Sequence, residues 1–284
     1  MKIAFAGLGV MGAPMAGHLV AAGHEVTGYN RTAAKAEAWA QANGAASAPT
    51  VAEAALDAEL FILCVGNDDD VRQVVSEALP HLAQGAVIVD HTTTSAKVAR
   101  EMAALAAESG RFFIDAPVSG GQAGAENGQL SVMAGGDADA LARVEAALMA
   151  YSKAIKHMGP SGAGQLTKMV NQIAIAGVVQ GLAEAVHFAK AAGLDTDAVY
   201  DAVSKGAAQS WQMDNRWKTA AKGEFDFGFA VDWMRKDLGL VLDEAASNGA
   251  QLDMTALVDG YYAEVQAQGG ARWDTSSLKA RLKP

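Results

Sequence analysis

With 284 residues, of which 51% are hydrophobic and 19% charged, the chain is long enough for a large core and most simply for two domains. A formal net charge of −10 argues against a surface that binds nucleic acid. The single cysteine, Cys64, excludes an internal disulfide, and no uninterrupted apolar stretch reaches the roughly 18 residues of a membrane span, so we expect a cytoplasmic protein without membrane segment or leader.

The chain begins with a strand pattern that runs directly into a glycine-rich turn. Gly7, Gly9 and Gly12 are spaced as Gly-x-Gly-x-x-Gly, and a helical pattern follows over 13–22. In this layout the first glycine permits a tight turn, the second lets backbone approach a pyrophosphate, and the third lets the helix pack closely on the strand. Such turns also close ordinary α/β units, but the N–H groups at a helix start attract phosphate. The stretch predicts a dinucleotide site at Gly7, Leu8, Gly9, Val10, Met11 and Gly12.

Short apolar runs alternate with alanine-rich helical segments up to about residue 159. The runs cover 2–6, 25–29, 60–65, 86–90, 112–116, 130–134 and 154–157. This alternation predicts an α/β domain, a doubly wound parallel sheet of the Rossmann type. Because ligands of such sheets bind beyond the carboxyl ends of the strands, the residues that follow each strand are the candidates for a site.

An arginine follows the second predicted strand, in the stretch Asn30-Arg31-Thr32. A cofactor without a 2′-phosphate calls for an acid here to bind the ribose hydroxyls, whereas a carboxylate would repel a phosphate. No acid is present, and a guanidinium matches a phosphate in charge and geometry. We therefore predict NADP(H) over NAD(H), with Asn30, Arg31 and Thr32 as contacts. The alternative is that Asn30 only caps the next helix and Arg31 is solvated.

Two further strand ends contribute candidates. Val65 and Gly66 follow the strand predicted at 60–65 and by position line the cofactor. The three acids at 68–70 come at the start of a helix, where carboxylates are common, so we expect no metal there. After the strand at 86–90, a hydroxyl in the stretch 91–94 can reach the nicotinamide half of a cofactor, and His91 is interpreted as a packing or surface histidine.

A glycine-rich stretch with one serine follows the strand predicted at 112–116. It contains Ser119, Gly120, Gly121, Gly124 and Gly128. Backbone N–H groups in such a loop are accessible, which suits the binding of a carboxylate. A flexible loop without a ligand is the alternative, but the position at the carboxyl end of a strand favours a site.

The architecture is predicted to change near residues 159–164, where three glycines and a proline occur in six positions. From about 165 to 192 one helix of roughly 40 Å follows, at 1.5 Å per residue. Helical patterns continue at 195–206, 233–248 and 255–268, without a further sheet. We therefore predict two domains, 1–161 and 162–284, the second all-helical and joined by the long helix. A long apolar helix in this half also predicts a homodimer or homotetramer.

The long helix carries a lysine among apolar residues. Lys168, Asn171 and Gln172 are spaced i, i+3 and i+4, so they share one face near the N-terminal end of the helix. The flanking residues predict that this stretch is mostly buried: Leu166, Met169, Val170, Ile173 and Ile175. A buried lysine is costly unless it is paired or its pKa falls. Beside a positively charged nicotinamide Lys168 can take a proton from an alcohol, but a structural lysine fits the spacing equally well.

A second lysine candidate lies on a later predicted helix. Lys236 is followed by Asp237, three residues after Trp233. A solvated charge pair on a helix surface is the simpler interpretation of these two residues alone.

Four segments together resemble a known family, the β-hydroxyacid dehydrogenases. This family includes 3-hydroxyisobutyrate dehydrogenase, tartronate semialdehyde reductase, glyoxylate reductase and succinic semialdehyde reductase. The resemblance extends in order from residue 3 to about 282, which is far more specific than one glycine turn. The segments are Gly7-Leu-Gly9-Val-Met-Gly12-Ala-Pro14-Met15-Ala16, Asp115-Ala-Pro-Val-Ser119-Gly120-Gly121, Gly162-Ala-Gly164-Gln-Leu-Thr-Lys168-Met-Val-Asn171-Gln172 and Lys236-Asp237-Leu238.

The resemblance implies specific roles. Lys168 matches the general acid/base at the substrate oxygen, and Asn171 matches the amide that orients the substrate. Ser119, Gly120 and Gly121 match the loop that holds the carboxylate of a small substrate. Thr93 and Lys236 match cofactor contacts, and the stretch 30–32 matches members that prefer NADP(H). Residues 209–217 lie where the family varies, so the choice of substrate stays open.

The implied reaction is hydride transfer between the nicotinamide and a small β-hydroxy acid, or its semialdehyde or keto counterpart. Other activities on the same scaffold remain open. An imine reductase usually replaces the lysine, which is present here, and a 6-phosphogluconate dehydrogenase needs a larger C-terminal half. A non-catalytic NADP-binding protein would bind cofactor without turnover.

Overall fold

The computed structural model describes residues 1–282. Its contacts divide the chain into two compact units, Met1–Lys168 and Met169–Pro284. The boundary predicted between 161 and 162 stays a prediction, and the last two residues of that second domain, 283 and 284, lie outside the described residues.

The first unit is built on one sheet of nine strands in the order β3-β2-β1-β4-β5-β6-β8-β7, with β9 paired to β8. Strands β1 to β6 are parallel, whereas β8 runs antiparallel to β6 and β7. The predicted doubly wound α/β fold is therefore confirmed. The strands are β1 (Lys2–Ala6), β2 (Glu25–Tyr29), β3 (Ala46–Ser47), β4 (Leu60–Leu63), β5 (Val87–Asp90), β6 (Phe112–Asp115), β7 (Val118–Ser119), β8 (Leu130–Gly135) and β9 (Ser152–Gly159).

Helices cover both faces of this sheet. Successive strand residues point to opposite faces, and because the central strands are mostly apolar, both faces must be buried. In β1, Ile3 and Phe5 join the cluster that includes Met15 of α1, while Ala4 and Ala6 join the cluster that includes Val71 of α4. Burial on both faces explains the continuous apolar runs in the sequence. The helices are α1 (Gly12–Ala21), α2 (Ala33–Asn43), α3 (Val51–Ala55), α4 (Asp68–Ala78), α5 (Ala96–Glu108), α6 (Gly121–Glu126) and α7 (Ala138–Leu148).

Several short elements were absent from the prediction. The strand predicted over 60–65 ends at Leu63, and β3 and β7 have two residues each, too few for a periodic pattern. The stretch predicted as a glycine-rich loop forms β7 and then α6. Two glycines in six residues make α6 a poor helix by propensity, so its contacts with the rest of the unit decide its conformation.

The second unit contains the greater part of α8 (Ala163–Ala191), followed by α9 (Thr196–Val203), α10 (Trp211–Lys222), α11 (Val231–Asn248) and α12 (Asp253–Ala267). Its main core joins α8, α11 and α12 through residues such as Val179, Leu238 and Tyr262. Within residues 169–282 the structure has no strand, only an isolated bridge between Ala230 and Asp274. The predicted all-helical half is therefore confirmed, although α10 was not predicted as a helix.

Helix α8 has 29 residues and is apolar enough to cross a membrane by length and composition alone. The expectation of no membrane segment rested on uninterrupted apolar stretches, and α8 is interrupted by polar residues such as Asn171 and Gln180. The helix buries Lys168, Gln172 and Gln180, but Val170, which was predicted to be buried, is 66% exposed.

Candidate active site

The glycine turn that follows β1 has the geometry that its spacing predicts. Gly7 has a φ of 97°, and its N–H donates to the carbonyl of Tyr29 at 2.9 Å. A side chain at Gly7 would overlap the carbonyl oxygen of Cys64, and one at Gly12 would overlap the carbonyl oxygen of Gly7. A side chain at Gly9 would meet nothing within 4 Å. Gly7 and Gly12 therefore permit close packing, while Gly9 faces open space.

The start of α1 fits an anionic group. Met11 occupies the N-cap position without a side-chain hydrogen bond, and the first turn contains no acidic residue. Helix α4 is different, because Asn67 caps it and its first turn contains Asp68, Asp69 and Asp70. The N–H groups and the dipole of α1 are thus suited to the phosphates of a dinucleotide. Among residues 1–282 no group of three or more His, Cys, Asp or Glu side chains is placed to hold a metal ion.

Asn30 links the end of β2 to the glycine turn. Its Oδ1 accepts the N–H of Leu8 at 3.1 Å, and its Nδ2 donates to the carbonyl of Thr32 at 3.2 Å. The alternative that Asn30 only caps α2 is wrong, since the N-cap residue is Thr32 and it makes no side-chain cap bond. Arg31 has a side chain that is 90% exposed, and its guanidinium lies 3.7 Å from Asp70 Oδ1.

Val65 and Gly66 lie beside the loop that follows β5. The N–H of Val65 donates to Thr92 Oγ1 at 3.0 Å. The N–H of Gly66 donates to Asp70 Oδ2 at 3.1 Å, so the Asp70 carboxylate contacts Gly66 and faces Arg31. Two of the predicted cofactor contacts, Arg31 and Gly66, therefore both lie next to the carboxylate of Asp70.

His91 has the packing role predicted for it. Its ring is 2% exposed, with Nδ1 at 2.6 Å from the carbonyl of Ala116 and Nε2 at 2.8 Å from the hydroxyl of Tyr151. Burial lowers the pKa of His91 to about 4, so the ring is neutral at pH 7. Burial also raises the pKa of Tyr151.

The predicted carboxylate loop lies where β7 meets α6. Val118 and Ser119 pair with Val132 and Ser131 of β8, and Gly120 turns the chain with a φ of 134°. Gly120 and Gly121 are exposed. Strand pairing thus fixes Ser119 at the edge of the sheet, next to two accessible glycines.

Lys168 lies against this loop. The residue is 8% exposed, and its Nζ donates to the carbonyl of Val118 at 2.9 Å. Since Val118 directly precedes Ser119, the structure brings the predicted acid/base residue next to the predicted carboxylate loop.

Two buried polar residues near Lys168 were missed from the sequence. Asp115 accepts the N–H of Gly162 at 2.7 Å through Oδ1 and that of Gln165 at 3.0 Å through Oδ2. Burial raises the pKa of Asp115, while these backbone donors act to lower it. The side chain of Gln165 bonds the loop around Thr93. The sequence offered one signal for each residue. Asp115 is a polar residue at the end of a predicted strand, and Gln165 is a polar residue three positions before Lys168.

The second unit holds the remaining candidates in one polar network. Asn171 Nδ2 donates to Gln172 Oε1 at 2.8 Å, and Gln172 Nε2 donates to Asp237 Oδ2 at 2.8 Å. Lys236 Nζ lies 3.2 Å from Asp237 Oδ1 and 5.9 Å from the ring centroid of Trp233. Asp237 is 2% exposed, so the interpretation of Lys236 and Asp237 as a solvated pair is wrong.

The segment predicted to vary within the family also has an internal structural partner. Arg216 Nε lies 3.0 Å from the buried carboxylate of Asp274, and its guanidinium stacks on Trp211 at 5.0 Å and Phe227 at 4.9 Å. An open cavity of about 800 Å³ lies in this unit, among residues that include Lys190 and Trp273. The described residues that line it include none of the predicted site residues.

Two family models match the chain in succession. Residues 2–159 match the NAD binding domain of 6-phosphogluconate dehydrogenase. Residues 162–282 match the NAD-binding domain of NADP-dependent 3-hydroxyisobutyrate dehydrogenase.

Whole-chain relatives agree with these matches. An "Uncharacterized oxidoreductase" of Shewanella frigidimarina is 61% identical, over 99% of this chain and 98% of its own. A "Probable 3-hydroxyisobutyrate dehydrogenase-like 1, mitochondrial" of Arabidopsis thaliana is 41% identical, over 99% of this chain and 85% of its own. The solved structure of a Mycobacterium tuberculosis 3-hydroxyisobutyrate dehydrogenase with L-serine superposes with a TM-score of 0.90 at 34% identity, covering 99% of both chains.

Proposed function

Because the chain belongs to the 3-hydroxyisobutyrate dehydrogenase-like family of NAD(P)-binding oxidoreductases, which act on CH–OH groups, we propose that it interconverts a small β-hydroxy acid and its semialdehyde or keto counterpart, with NADP(H) as preferred cofactor and Lys168 as general acid/base. The predicted family and the oxidoreductase class are confirmed by the matches. The preferred cofactor, the role of the lysine and the substrate are the parts that we propose.

The glycine turn and the start of α1 fit the phosphates of the cofactor, since no side chain makes a cap hydrogen bond there and the first turn contains no acid. The proposed preference for NADP(H) is supported by Arg31, whose exposed guanidinium is available to a 2′-phosphate. The contacts at Val65, Gly66, Thr93 and Lys236 stay predictions. When bound, the nicotinamide supplies the chemistry of accepting or donating a hydride at the carbinol carbon.

The observation that carries the proposal is the contact of Lys168 Nζ with the carbonyl of Val118 at 2.9 Å. This bond fixes the amine beside Ser119 and uses one of its hydrogens. In the oxidation, the neutral amine of Lys168 accepts the hydroxyl proton with its lone pair, while one of its N–H groups still donates to the carbonyl of Val118. In the reduction, the ammonium returns that proton to the carbonyl oxygen.

We propose that the substrate carries a carboxylate, held at Ser119, Gly120 and Gly121, and that Asn171 orients it. Accessible glycines beside a fixed serine suit an anion of this size. L-serine, which the Mycobacterium tuberculosis relative has bound in its structure, is itself a small β-hydroxy acid and belongs in the set of test substrates.

The test is a screen of NADPH and NADH consumption with succinic, methylmalonate and tartronate semialdehydes and glyoxylate. The reverse reaction is followed with the hydroxy acids and L-serine. With the substrate that gives the highest turnover, Lys168→Ala is expected to lower kcat about 10²- to 10⁴-fold, because it removes the acid/base group. Cofactor affinity, measured by nicotinamide fluorescence, should change little.

The matched control is Lys156→Ala, which removes an exposed lysine of β9 in the same unit. It should leave kcat unchanged. Near-normal turnover by Lys168→Ala would contradict the assigned role. A folded, cofactor-binding protein without turnover on any of these compounds would contradict the substrate class.

We also propose a cytoplasmic homo-oligomer. Support for oligomerisation comes from exposed apolar side chains in the second unit, among them Phe188, which is 70% exposed, and Leu257, which is 55% exposed. The single cysteine, Cys64, fits a reducing compartment. Light scattering that finds only monomer, or cell fractionation that places the protein outside the cytoplasm, would contradict these two proposals.

A further inference from the structure

We propose that Gln165 is a positioning residue that fixes the loop carrying Thr93 relative to Lys168. The proposal rests on the proposed function, because it assigns the loop to the cofactor and Lys168 to the proton transfer. All the contacts that carry it lie within the first unit.

The side chain of Gln165 bonds the backbone on both sides of Thr93. Its Oε1 accepts the N–H of Thr94 at 3.1 Å, and its Nε2 donates to the carbonyl of Thr92 at 2.7 Å. Gln165 has no exposed surface. One buried amide therefore supplies the loop with the donor and the acceptor that a neighbouring strand would otherwise provide.

Further bonds restrict the same loop from the sheet side. Thr92 donates its N–H to Asp90 Oδ1 at 2.8 Å and accepts the N–H of Val65 at 3.0 Å through its hydroxyl. Thr93 itself is only half-buried. The backbone on either side of Thr93 is thus held in place by both α8 and the sheet.

The backbone of Gln165 is fixed just as firmly. Its N–H donates to Asp115 Oδ2 at 3.0 Å, and the same carboxylate accepts the N–H of Gly162 at 2.7 Å. Asp115 thereby caps the start of α8 from the end of β6. A Cβ at Gly164 would overlap carbonyl oxygens of Asp115 and Met133, so helix and sheet are in close contact here.

Lys168 follows Gln165 by three residues, so the two side chains emerge from the same side of the helix. The ammonium contacts Val118, and Val118 follows Asp115 by three residues. The position of the amine is therefore set by the same helix turn that holds the Thr93 loop. A shift of about 1 Å in such an arrangement is sufficient to reduce turnover about a hundredfold.

The amide itself is informative, because an apolar side chain of similar size would fill the same volume. A buried amide is costly unless both of its polar groups are bonded, and here both bond one loop. If Gln165 served packing alone, methionine would be an adequate replacement. If it serves positioning, methionine should fold but leave the loop without its partner.

The experiment compares Gln165→Met and Gln165→Glu with wild type. We expect Gln165→Met to lower kcat and weaken NADPH binding, each about tenfold or more. The matched control is Gln180→Met, which removes another buried glutamine amide from the same helix and should leave both quantities within twofold.

Gln165→Glu gives a second measurement, the pH dependence of kcat relative to wild type, which a packing role alone would not affect. The ionised carboxylate can accept from Thr94 but has no hydrogen for Thr92, whereas the protonated acid can again donate. In the reductive direction, we therefore expect the kcat of Gln165→Glu, taken relative to wild type, to rise as the pH falls.

Two results would overturn the proposal. One is a Gln165→Met protein whose kcat and NADPH affinity stay within twofold of wild type. The other is a ratio of the kcat of Gln165→Glu to that of wild type that does not change with pH. This result would show that Gln165 serves packing alone, even if Gln165→Met fails to fold. Failure of the acid/base role appears separately, as turnover by Lys168→Ala, and leaves the cofactor affinity of the Gln165 variants as a valid measure of the loop.

Discussion

Tyr151 donates its hydroxyl hydrogen to Nε2 of His91 across 2.8 Å in the interior of the first unit, and the two rings meet edge to face with centroids 5.6 Å apart. The opposite ring nitrogen, Nδ1, lies 2.6 Å from the carbonyl of Ala116, which can only accept. His91 is therefore neutral with its hydrogen on Nδ1, and both of its nitrogens are satisfied. Protonation of Nε2 would place a charge in a fully buried site and would require the Tyr151 hydroxyl to turn and accept.

This arrangement predicts a loss of stability in mild acid. Burial lowers the pKa of His91 from 6.5 to about 4, so the unfolded chain binds the proton first as the pH falls. The contribution of His91 is thus fully present above pH 6.5 and is lost as the pH falls from 6.5 towards 4, by about 3 kcal/mol in total. Urea unfolding measured between pH 7.5 and 4.5 checks the slope.

His91→Phe is the matching variant, because it keeps a ring and removes the titrating group. It should be less stable at pH 7.5, since the Tyr151 hydroxyl loses its acceptor, but its stability should fall less between pH 6.5 and 4.5 than that of wild type. Asp115 acts in the opposite sense, because a raised carboxyl pKa favours the fold at low pH. Parallel slopes for wild type and His91→Phe would contradict the assignment.

Cofactor choice is predicted to depend on Arg31. Arg31→Ala should weaken NADPH binding about 10- to 100-fold, the range expected for loss of a charge-assisted bond to a phosphate, and should leave NADH binding within about twofold. Dissociation constants for both cofactors, measured by fluorescence titration, check this.

Asp70→Asn serves as the companion variant, because it removes the charge that faces Arg31 at 3.7 Å and keeps an oxygen for the N–H of Gly66. An exposed pair of this kind contributes roughly 0–1 kcal/mol, so NADPH binding should tighten by at most about fivefold. Equal losses for NADPH and NADH in Arg31→Ala would show that Arg31 does not meet the 2′-phosphate.

The contact between the start of α8 and the sheet predicts a severe effect of Gly164→Ala. The added methyl group would overlap backbone oxygens of Met133 and Asp115, which cannot move aside as a flexible side chain can. We expect a loss of about 1–3 kcal/mol in unfolding free energy and a lower kcat, because the helix turn before Lys168 must shift.

Gly181→Ala is the control on the same helix. A Cβ at Gly181 meets nothing within 4 Å, so alanine should stabilise the protein by up to about 1 kcal/mol through helix propensity. Similar behaviour of the two variants in chemical denaturation would contradict the proposed tight contact at Gly164.

Local signals predicted the elements that depend on local sequence. Strands β1 and β2 have the predicted bounds, since both are continuous or alternating apolar runs next to glycine turns. The short strand β7 and helix α6 escaped prediction, because Ser119 and Gly121 take their conformations from β8 and from the packing of the unit. The predicted helix over 233–248 begins at Val231. Helix α10 was not predicted, although its buried residues Met213, Trp217, Ala220 and Ala221 have helical spacing, because polar residues dominate the rest of the segment.

The sequence by itself determined the doubly wound sheet, the helical second half, the glycine turn and the family, because alternation, periodicity and motif spacing are properties of neighbouring residues. Only the tertiary structure decided which groups meet: Lys168 with the carbonyl of Val118, Asp115 with the N–H groups of Gly162 and Gln165, and the Gln165 amide with the backbone around Thr93. These partners are 47 to 73 residues apart along the chain. A buried polar group is stable only with a hydrogen-bond partner, and which residue becomes that partner depends on the three-dimensional packing. The periodicity of the sequence therefore does not predict these bonds.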